Sequence, residues 1–336
     1  MRRVVQRLTR RTETHLVAVL MALVAVVTAG RPEFLTAENA FDVLRNNAFL
    51  GIVALGQLVV LISGGIDVSF TAIATVAQYV MGLVISARGV ASVWAALLTS
   101  LPMGLGLGVV NGLLVHYARV HPVIITIATL STFYGLLIFF TGGTWITDLP
   151  MSFQEFAQYK LVRFTTAGGA EYGLSTPIVF WAAAALLTWI VLNFLVVGRR
   201  IYALGGNAEA ARRAGFPILR LQLFVYAYMG LLAGLGGFVQ AQLAQIIQPN
   251  AIVGRELDVL AAAVLGGASV FGGAGTVGGT ILGVLLIAVI RNGLILLRVS
   301  SYWHDAVIGL LIAAAAAITA SQERRRRARA VRVHDA

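Results

Sequence analysis

Residues 46–63 read Asn46-Asn47-Ala48-Phe49-Leu50-Gly51-Ile52-Val53-Ala54-Leu55-Gly56-Gln57-Leu58-Val59-Val60-Leu61-Ile62-Ser63. No ionisable side chain interrupts the run. An apolar stretch of about 17–25 residues is long enough to cross the hydrocarbon core of a bilayer as a helix. Working outward with the same criterion gives spans near 16–30, 46–63, 70–87, 92–115, 122–141, 176–197, 221–243, 257–271, 278–297 and 303–320. The expected fold is all-α: a polytopic transmembrane helical bundle of about ten spans, with both termini cytoplasmic. The first run follows a basic segment and is read as a retained helix rather than a signal peptide, because Val27-Thr28-Ala29 makes a poor cleavage site.

Composition supports this reading. Of 336 residues, 59% are hydrophobic and 12% charged, with a mean hydropathy of +0.87. Soluble domains carry about 25% charged residues, so these residues cannot cover a water-facing surface. The net charge of +11 points less to nucleic acid than to lipid, because of where the arginines sit. Arg2, Arg3, Arg7, Arg10 and Arg11 crowd one end; Arg324 to Arg327, Arg329 and Arg332 crowd the other. Basic ends around an apolar body are cytoplasmic flanks held by the positive-inside bias and anionic lipid.

The loops fit an even number of crossings. Segment 31–45, the long mixed segment 142–175 and segment 244–258 are expected outside. Arg119 in the 116–121 loop is expected inside, as are Arg199, Arg200, Arg212, Arg213 and Arg220 in 198–220. This divides the chain into a basic cytoplasmic N-terminus (1–15), a membrane domain (16–320) with a cytoplasmic loop at 198–220, and a basic tail (321–336).

Glycines punctuate the spans. Gly104, Gly106, Gly108 and Gly112 recur in one, and Gly230, Gly234, Gly236 and Gly237 in another. Small residues at such spacing let backbones approach in lipid. Two further sets interrupt apolar runs: Ser63-Gly64-Gly65-Ile66-Asp67-Val68-Ser69 and Gly266-Gly267-Ala268-Ser269-Val270-Phe271-Gly272-Gly273. Each fits either a broken membrane helix lining a cavity or an ordinary helix end.

No catalytic constellation can be assembled. There is no cysteine, and His15, His116, His121, His304 and His334 are scattered. The phosphate-binding loop requires Gly-Lys, and the one lysine, Lys160, follows Tyr159. The chain is therefore not expected to be an enzyme or to bind a cofactor; any ATP that drives it is used by a partner subunit. Ionisable residues at or inside spans are few, Asp67 and Arg291 among them, too few for an ion-coupled relay.

The segment Ile201-Tyr202-Ala203-Leu204-Gly205-Gly206-Asn207-Ala208-Glu209-Ala210-Ala211-Arg212-Arg213-Ala214-Gly215-Phe216-Pro217 is polar between two spans. Asn207 can cap a short helix running to Ala214, Gly215 can end it, and Pro217 prevents its continuation. The product is a rigid knob or a plain amphipathic connector.

Glu209-Ala210-Ala211 followed by Gly215 resembles the E-A-A-x-x-x-G signature of ABC-importer permease subunits. Further blocks resemble the monosaccharide branch of that family, which includes ribose, xylose, arabinose, galactose and autoinducer-2 permeases. They are Leu61 to Ser69, Tyr202 to Ala211, Glu256-Leu257-Asp258 through Gly267, Gly272 to Gly275, and Asn292-Gly293-Leu294 with Val299 to Tyr302. The resemblance implies an inner-membrane permease, paired with a second copy or a paralogue. It also implies ABC ATPase subunits and a periplasmic sugar-binding protein as partners. Gly205, Gly206, Asn207, Glu209, Ala210, Ala211 and Gly215 would then form one coupling helix inserted into the ATPase. Departures from the pattern, such as Arg291 before Asn292 and Phe70 after Ser69, leave the sugar open.

A sugar path needs hydrogen-bonding groups and aromatic faces among apolar walls. The candidates are Gln57, Ser63, Gly64, Gly65, Asp67, Asn111, Thr126, Thr129, Tyr134, Trp145 and Asn292. Each has a packing or interfacial alternative, and for Asp67 the alternative is capping the third span. The competing functions are an ion-coupled secondary transporter of a small polar solute and a non-transporting membrane scaffold.

Overall fold

The computed structural model describes residues 2–87, 92–166, 168–169, 171–300, 302–303, 306–307 and 309–310, and the statements below concern these. The chain runs through α1 (Arg2–Gly30), a 3-10 turn (Pro32–Leu35), α2 (Ala37–Asn46), α3 (Ala48–Ile62), α4 (Phe70–Ala87), α5 (Val93–Ala118) and α6 (Pro122–Thr141). It continues as α7 (Met151–Gln158), β1 (Lys160–Thr165), β2 (Glu171–Ser175), α8 (Thr176–Asn193), α9 (Val196–Gly206), α10 (Ala208–Arg213), α11 (Ile218–Ala244), α12 (Glu256–Leu265) and α13 (Val277–Leu296).

The helix expected at 46–63 is the centre of the fold. All 15 residues of α3 are buried, as befits a helix that is hydrophobic all round. It packs against α11, α8, α12 and α13. The outer helices instead turn apolar side chains outward: Leu98 of α5 is 74% exposed and Phe139 of α6 is 79%. In lipid that is the expected lining of a bundle.

The two glycine-rich spans form one seam. A Cβ on Gly104 would overlap the Gly230 carbonyl oxygen; one on Gly108 would stand 3.0 Å from Gly230 Cα; one on Gly112 would stand 3.0 Å from Leu223 Cα. A side chain at any of these would push α5 off α11, while Gly106 faces away, with nothing within 4 Å of its Cβ position. Lipid offers no hydrophobic drive to hold helices together, so backbone contact of this kind has to supply it. At the periphery, α1 lies on α13 with Val27, Phe34 and Val289 in a small core. Glu13 accepts a 2.7 Å hydrogen bond from Thr276, the N-cap of α13.

Several expectations change. The chain is mostly helical rather than all-α, because segment 142–175 folds into α7 and the antiparallel pair β1–β2. Six helices are long and apolar enough to cross a membrane, and a seventh crossing results if α2 and α3, bent by 52°, count as one. The run 46–63 is thus broken at Asn47, whose side chain donates to the Val43 carbonyl oxygen at 2.8 Å. The run 257–271 holds a helix of only 10 residues, about 15 Å long against a core of about 30 Å. Segment 244–258 packs onto the bundle: Arg255 lies over the Phe49 ring at 5.2 Å, and Thr71 at the start of α4 donates to Glu256. The expected span 303–320 falls almost entirely, and the tail 321–336 entirely, outside the described residues.

The connections gather on two opposite faces. Ile146 pairs with Ile247, and Phe41 meets Tyr172 at 5.9 Å, so segments 31–45, 142–175 and 244–258 share one face. Helix α8, 18 residues long and so about 27 Å, separates that face from α9 and α10.

Candidate functional site

The knob between α8 and α11 forms as its sequence dictates. Asn207 has extended backbone, and its side chain accepts from Ala210 N–H at 2.9 Å, capping α10. Gly215 ends the turn at φ +77°, a conformation that glycine adopts without penalty. Ala211 is buried, while Glu209, Ala210, Arg212 and Arg213 face outward. Arg213 Nε lies 3.0 Å from Glu209 Oε1; exposed i,i+4 pairs of this kind are worth a few tenths of a kcal/mol. One expectation is corrected: Gly205 and Gly206 are not part of this helix but the last turn of α9. Asn207 is the elbow between the two, its own N–H donating back to Ala203 at 3.1 Å.

That displacement of Gly205 into α9 gives it a different position. Its backbone is wedged between the two glycine-rich interruptions. A Cβ on Gly205 would overlap the Ile62 carbonyl oxygen and stand 2.8 Å from Gly273 N. One on Gly272 would stand 2.6 Å from the Gly205 oxygen and 2.9 Å from Gly64 Cα. Gly273 N–H donates to Ile62 O at 2.9 Å. The loop after α3 and the loop after α12 therefore meet each other and α9 backbone to backbone, with no side chain between to absorb movement. Tyr202, one turn earlier on α9, donates its hydroxyl to Gly275 O at 2.7 Å. Burial pushes the Tyr202 phenol up to about 12, so it keeps the proton it donates.

From the same junction the chain enters a polar cluster. Asp67 Oδ1 accepts from Ser69 N at 2.8 Å and from Ser69 Oγ at 2.6 Å, bonds that brace the turn leading into α4. Asn111 of α5 donates to Ser69 Oγ at 2.6 Å. Thr126 of α6 donates to Ile66 O at 3.2 Å and accepts from Val68 N at 3.3 Å. Asp67, Ser69, Asn111 and Thr126 are all at most 1% exposed. Gly65 leaves room for Tyr226 of α11, whose hydroxyl would lie 2.7 Å from a Cβ there. Asp67 Oδ2, Asn111 Oδ1 and the Tyr226 hydroxyl are buried with no hydrogen-bond partner. Buried polar atoms left in that state are costly, which sets this cluster apart from the satisfied caps around it.

The other candidates lie elsewhere. Ser63 bonds the Val60 carbonyl within its own turn, and Thr129 bonds Thr126 O within α6. Gln57 is fully buried on α3, with both side-chain polar atoms unpaired. Asn292 is away from the cluster, exchanging hydrogen bonds with Asn39 of α2 at 3.1 and 3.0 Å. Trp145 is 57% exposed. Arg291, next to Asn292 in sequence, is not isolated in the span, as its guanidinium meets Asp258 at 2.7 Å. Tyr226 and Tyr202 were not singled out from the sequence. The sequence carries no local signal for Tyr226, because the room for its hydroxyl is made by Gly65, far away in the chain.

Comparison with known proteins bears on this geometry. The family described as "Branched-chain amino acid transport system / permease component" matches residues 39–316. The chain is 37% identical over 296 residues to the ribose import permease protein of Bacillus subtilis strain 168, covering 87% of this chain and 88% of that one. It is 31% identical over 297 residues to the D-allose transport system permease protein of Escherichia coli K12, covering 88% of each. It is 30% identical over 313 residues to an autoinducer 2 import system permease protein of Yersinia enterocolitica, covering 90% of this chain and 80% of that one. No solved structure matches the chain.

Proposed function

The chain belongs to the permease family of the branched-chain amino acid transport system type, and on that premise we propose that it conducts a monosaccharide, or a related furanosyl compound, into the cell. As a family member it is a multi-pass membrane permease of a bacterial ABC importer, and ATP hydrolysis is not its own chemistry. The observation that carries the sugar class is the full-length similarity to permeases named for ribose and D-allose. The family's description mentions amino acids, but the relatives similar over nearly the whole chain are named for sugars and a furanosyl signal.

In this reading the chain crosses the membrane an even number of times, with both termini and the α9–α10 face in the cytoplasm. The arginines of 198–220 support that orientation. Helix α10 presents Glu209 and Ala210 to a cleft in the ATPase, with Asn207 and Gly215 fixing its ends. Closure of the ATPase pair on ATP moves α10, and the Asn207 elbow carries the movement to α9. Gly205 then displaces the loops after α3 and α12 together. The loop after α3 holds Asp67, so the same movement reshapes the cluster of Asp67, Asn111, Thr126 and Tyr226, which forms part of the sugar path. A second permease copy or paralogue completes the path, and a periplasmic binding protein delivers the sugar.

The test is radiolabelled D-ribose and D-allose uptake in cells deleted for the gene and complemented with wild type or with Glu209→Lys. Uptake restored by wild type and abolished by the variant supports the reading. Uptake into liposomes by this chain alone, driven by an ion gradient, would overturn it in favour of a secondary carrier.

A further inference from the structure

On the face opposite α10, α2 turns a stripe of four residues toward the hairpin. Glu38, Phe41, Asp42 and Arg45 recur at helical spacing. Together with Lys160 of β1 and Glu171 and Tyr172 of β2, they enclose a cavity of about 370 Å³. That is near the lower end of the range for small-molecule sites.

The chemistry of the walls narrows the ligand. Three carboxylates face two cations, and the ion pairs among the described residues, Arg213–Glu209 and Arg291–Asp258, involve none of them. Arg45 Nε is buried without a partner. Lys160 Nζ donates to the Glu171 carbonyl oxygen at 2.6 Å, which leaves the Glu171 carboxylate free of that bond. Donors and acceptors therefore both line the cavity without cancelling one another. An anion would meet Glu38, Asp42 and Glu171, and a dication would meet Arg45 and Lys160. The described carboxylates form no metal-holding group. A neutral molecule with several hydroxyls, each able to donate and accept, satisfies both kinds of group at once. Phe41 and Tyr172, 5.9 Å apart, supply an aromatic flank for its C–H face; stacking of Phe164 at 5.5 Å steadies the Tyr172 ring.

We propose that this cavity is a monosaccharide-binding site on the outer face of the permease, separate from the buried Asp67 cluster. The proposal rests on the sugar-permease reading for its choice of ligand and for calling this face outer. The cavity and its unpaired charges stand without it.

The experiment is saturation-transfer NMR of D-ribose, then D-allose, with the full chain in lipid nanodiscs. Wild type is compared with Asp42→Asn, Glu38→Gln and Tyr172→Ala, and with Gly106→Ala as a variant remote from the cavity. Asp42 and Glu38 are exposed, so their isosteric changes leave the fold intact and monodisperse. The expected result is transfer to at least one of the two sugars by wild type and Gly106→Ala. Asp42→Asn and Tyr172→Ala should each weaken binding about tenfold, the loss of one good hydrogen bond or aromatic contact. No transfer to either sugar, or transfer undiminished in all three cavity variants, would overturn the proposal. Whole-cell uptake separates the two readings: sugar uptake by wild type without nanodisc binding removes this site and leaves the permease intact.

Discussion

Replacing Gly205 with alanine adds one methyl group where α9 meets two loops. Its Cβ would stand 2.8 Å from Gly273 N and 2.9 Å from Ile62 C, besides overlapping the Ile62 oxygen. Carbon needs about 3.5–4.0 Å from such neighbours, so α9 has to withdraw by roughly 1 Å. The Tyr202 hydroxyl to Gly275 O bond, 2.7 Å long, does not survive that movement. Losing it costs about 1 kcal/mol, and the crowding adds about 1–3 kcal/mol. A total of about 2–4 kcal/mol lies within the stability of a folded domain, so the variant folds but with α9 uncoupled from the loops. Its melting temperature in detergent should fall by about 5 °C. Sugar uptake should fall more than tenfold, because about 1.4 kcal/mol is already a factor of ten in a conformational equilibrium. The ATPase should still co-purify, since α10 is unchanged. Gly206→Ala is the matched control: nothing lies within 4 Å of its Cβ position, and alanine should stabilise the helix end by up to about 1 kcal/mol. If Gly205→Ala melts and transports like Gly206→Ala, the junction carries no movement and the reasoning is wrong.

Asn207→Ala removes the cap that accepts from Ala210; it should cost about 1 kcal/mol locally and speed hydrogen exchange over 208–213 several-fold, and unchanged exchange would count against a capped knob. Gly230→Leu forces side-chain bulk against Gly104 and Gly108 and should abolish monodisperse protein, while Gly106→Leu, facing away, should leave size-exclusion profiles unchanged. Arg291→Met leaves Asp258 partly buried without its 2.7 Å partner; it should cost about 3 kcal/mol, and Asp258→Leu in the same chain should recover most of it, as a double-mutant cycle of melting temperatures would report. Tyr202, with its phenol pushed up to about 12 from about 10, contributes stability that is complete below pH 10 and lost as pH rises through 12. Tyr202→Phe should remove that alkaline loss while lowering stability at neutral pH through the missing bond to Gly275.

Much of the fold is written in apolar length alone. The runs at 93–118, 122–141 and 218–244 become helices because their scattered polar residues and glycines never outweigh the apolar stretches between them. Elsewhere apolar counts pass over breaks that geometry imposes. Between Asn46 and Ser63 the composition is uninterrupted, yet the Asn47 side chain takes the Val43 carbonyl and turns the helix. From Leu257 to Phe271 only Asp258 and Ser269 are polar, yet Gly266 and Gly267 end α12 after Leu265. The hairpin at 160–175 escapes notice because β1 is exposed along nearly its whole length and so lacks the alternation that marks a half-buried strand.

For the site, Asn207, Gly215 and Pro217 announce a short capped helix, and the structure contains it. Whether Gly205 opens that helix or closes the previous one cannot be read locally. The answer depends on Ile62 and Gly273, far away in sequence and adjacent in space. Asp67 was legible because it sits in a glycine-rich break just before the third span. Tyr226 was not, because only the missing side chain at Gly65 makes room for its hydroxyl.

The central claim is that α10 is the surface on which the ATPase sits. The chain contains no cysteine, so Ala210→Cys provides a unique attachment point for a short thiol-specific photo-crosslinker on the permease complex purified in mild detergent. The account predicts an adduct between this chain and an ATP-binding subunit from position 210. Glu38→Cys, on the opposite face, should give none. Adducts with the ATPase from position 38 and none from 210 would contradict it.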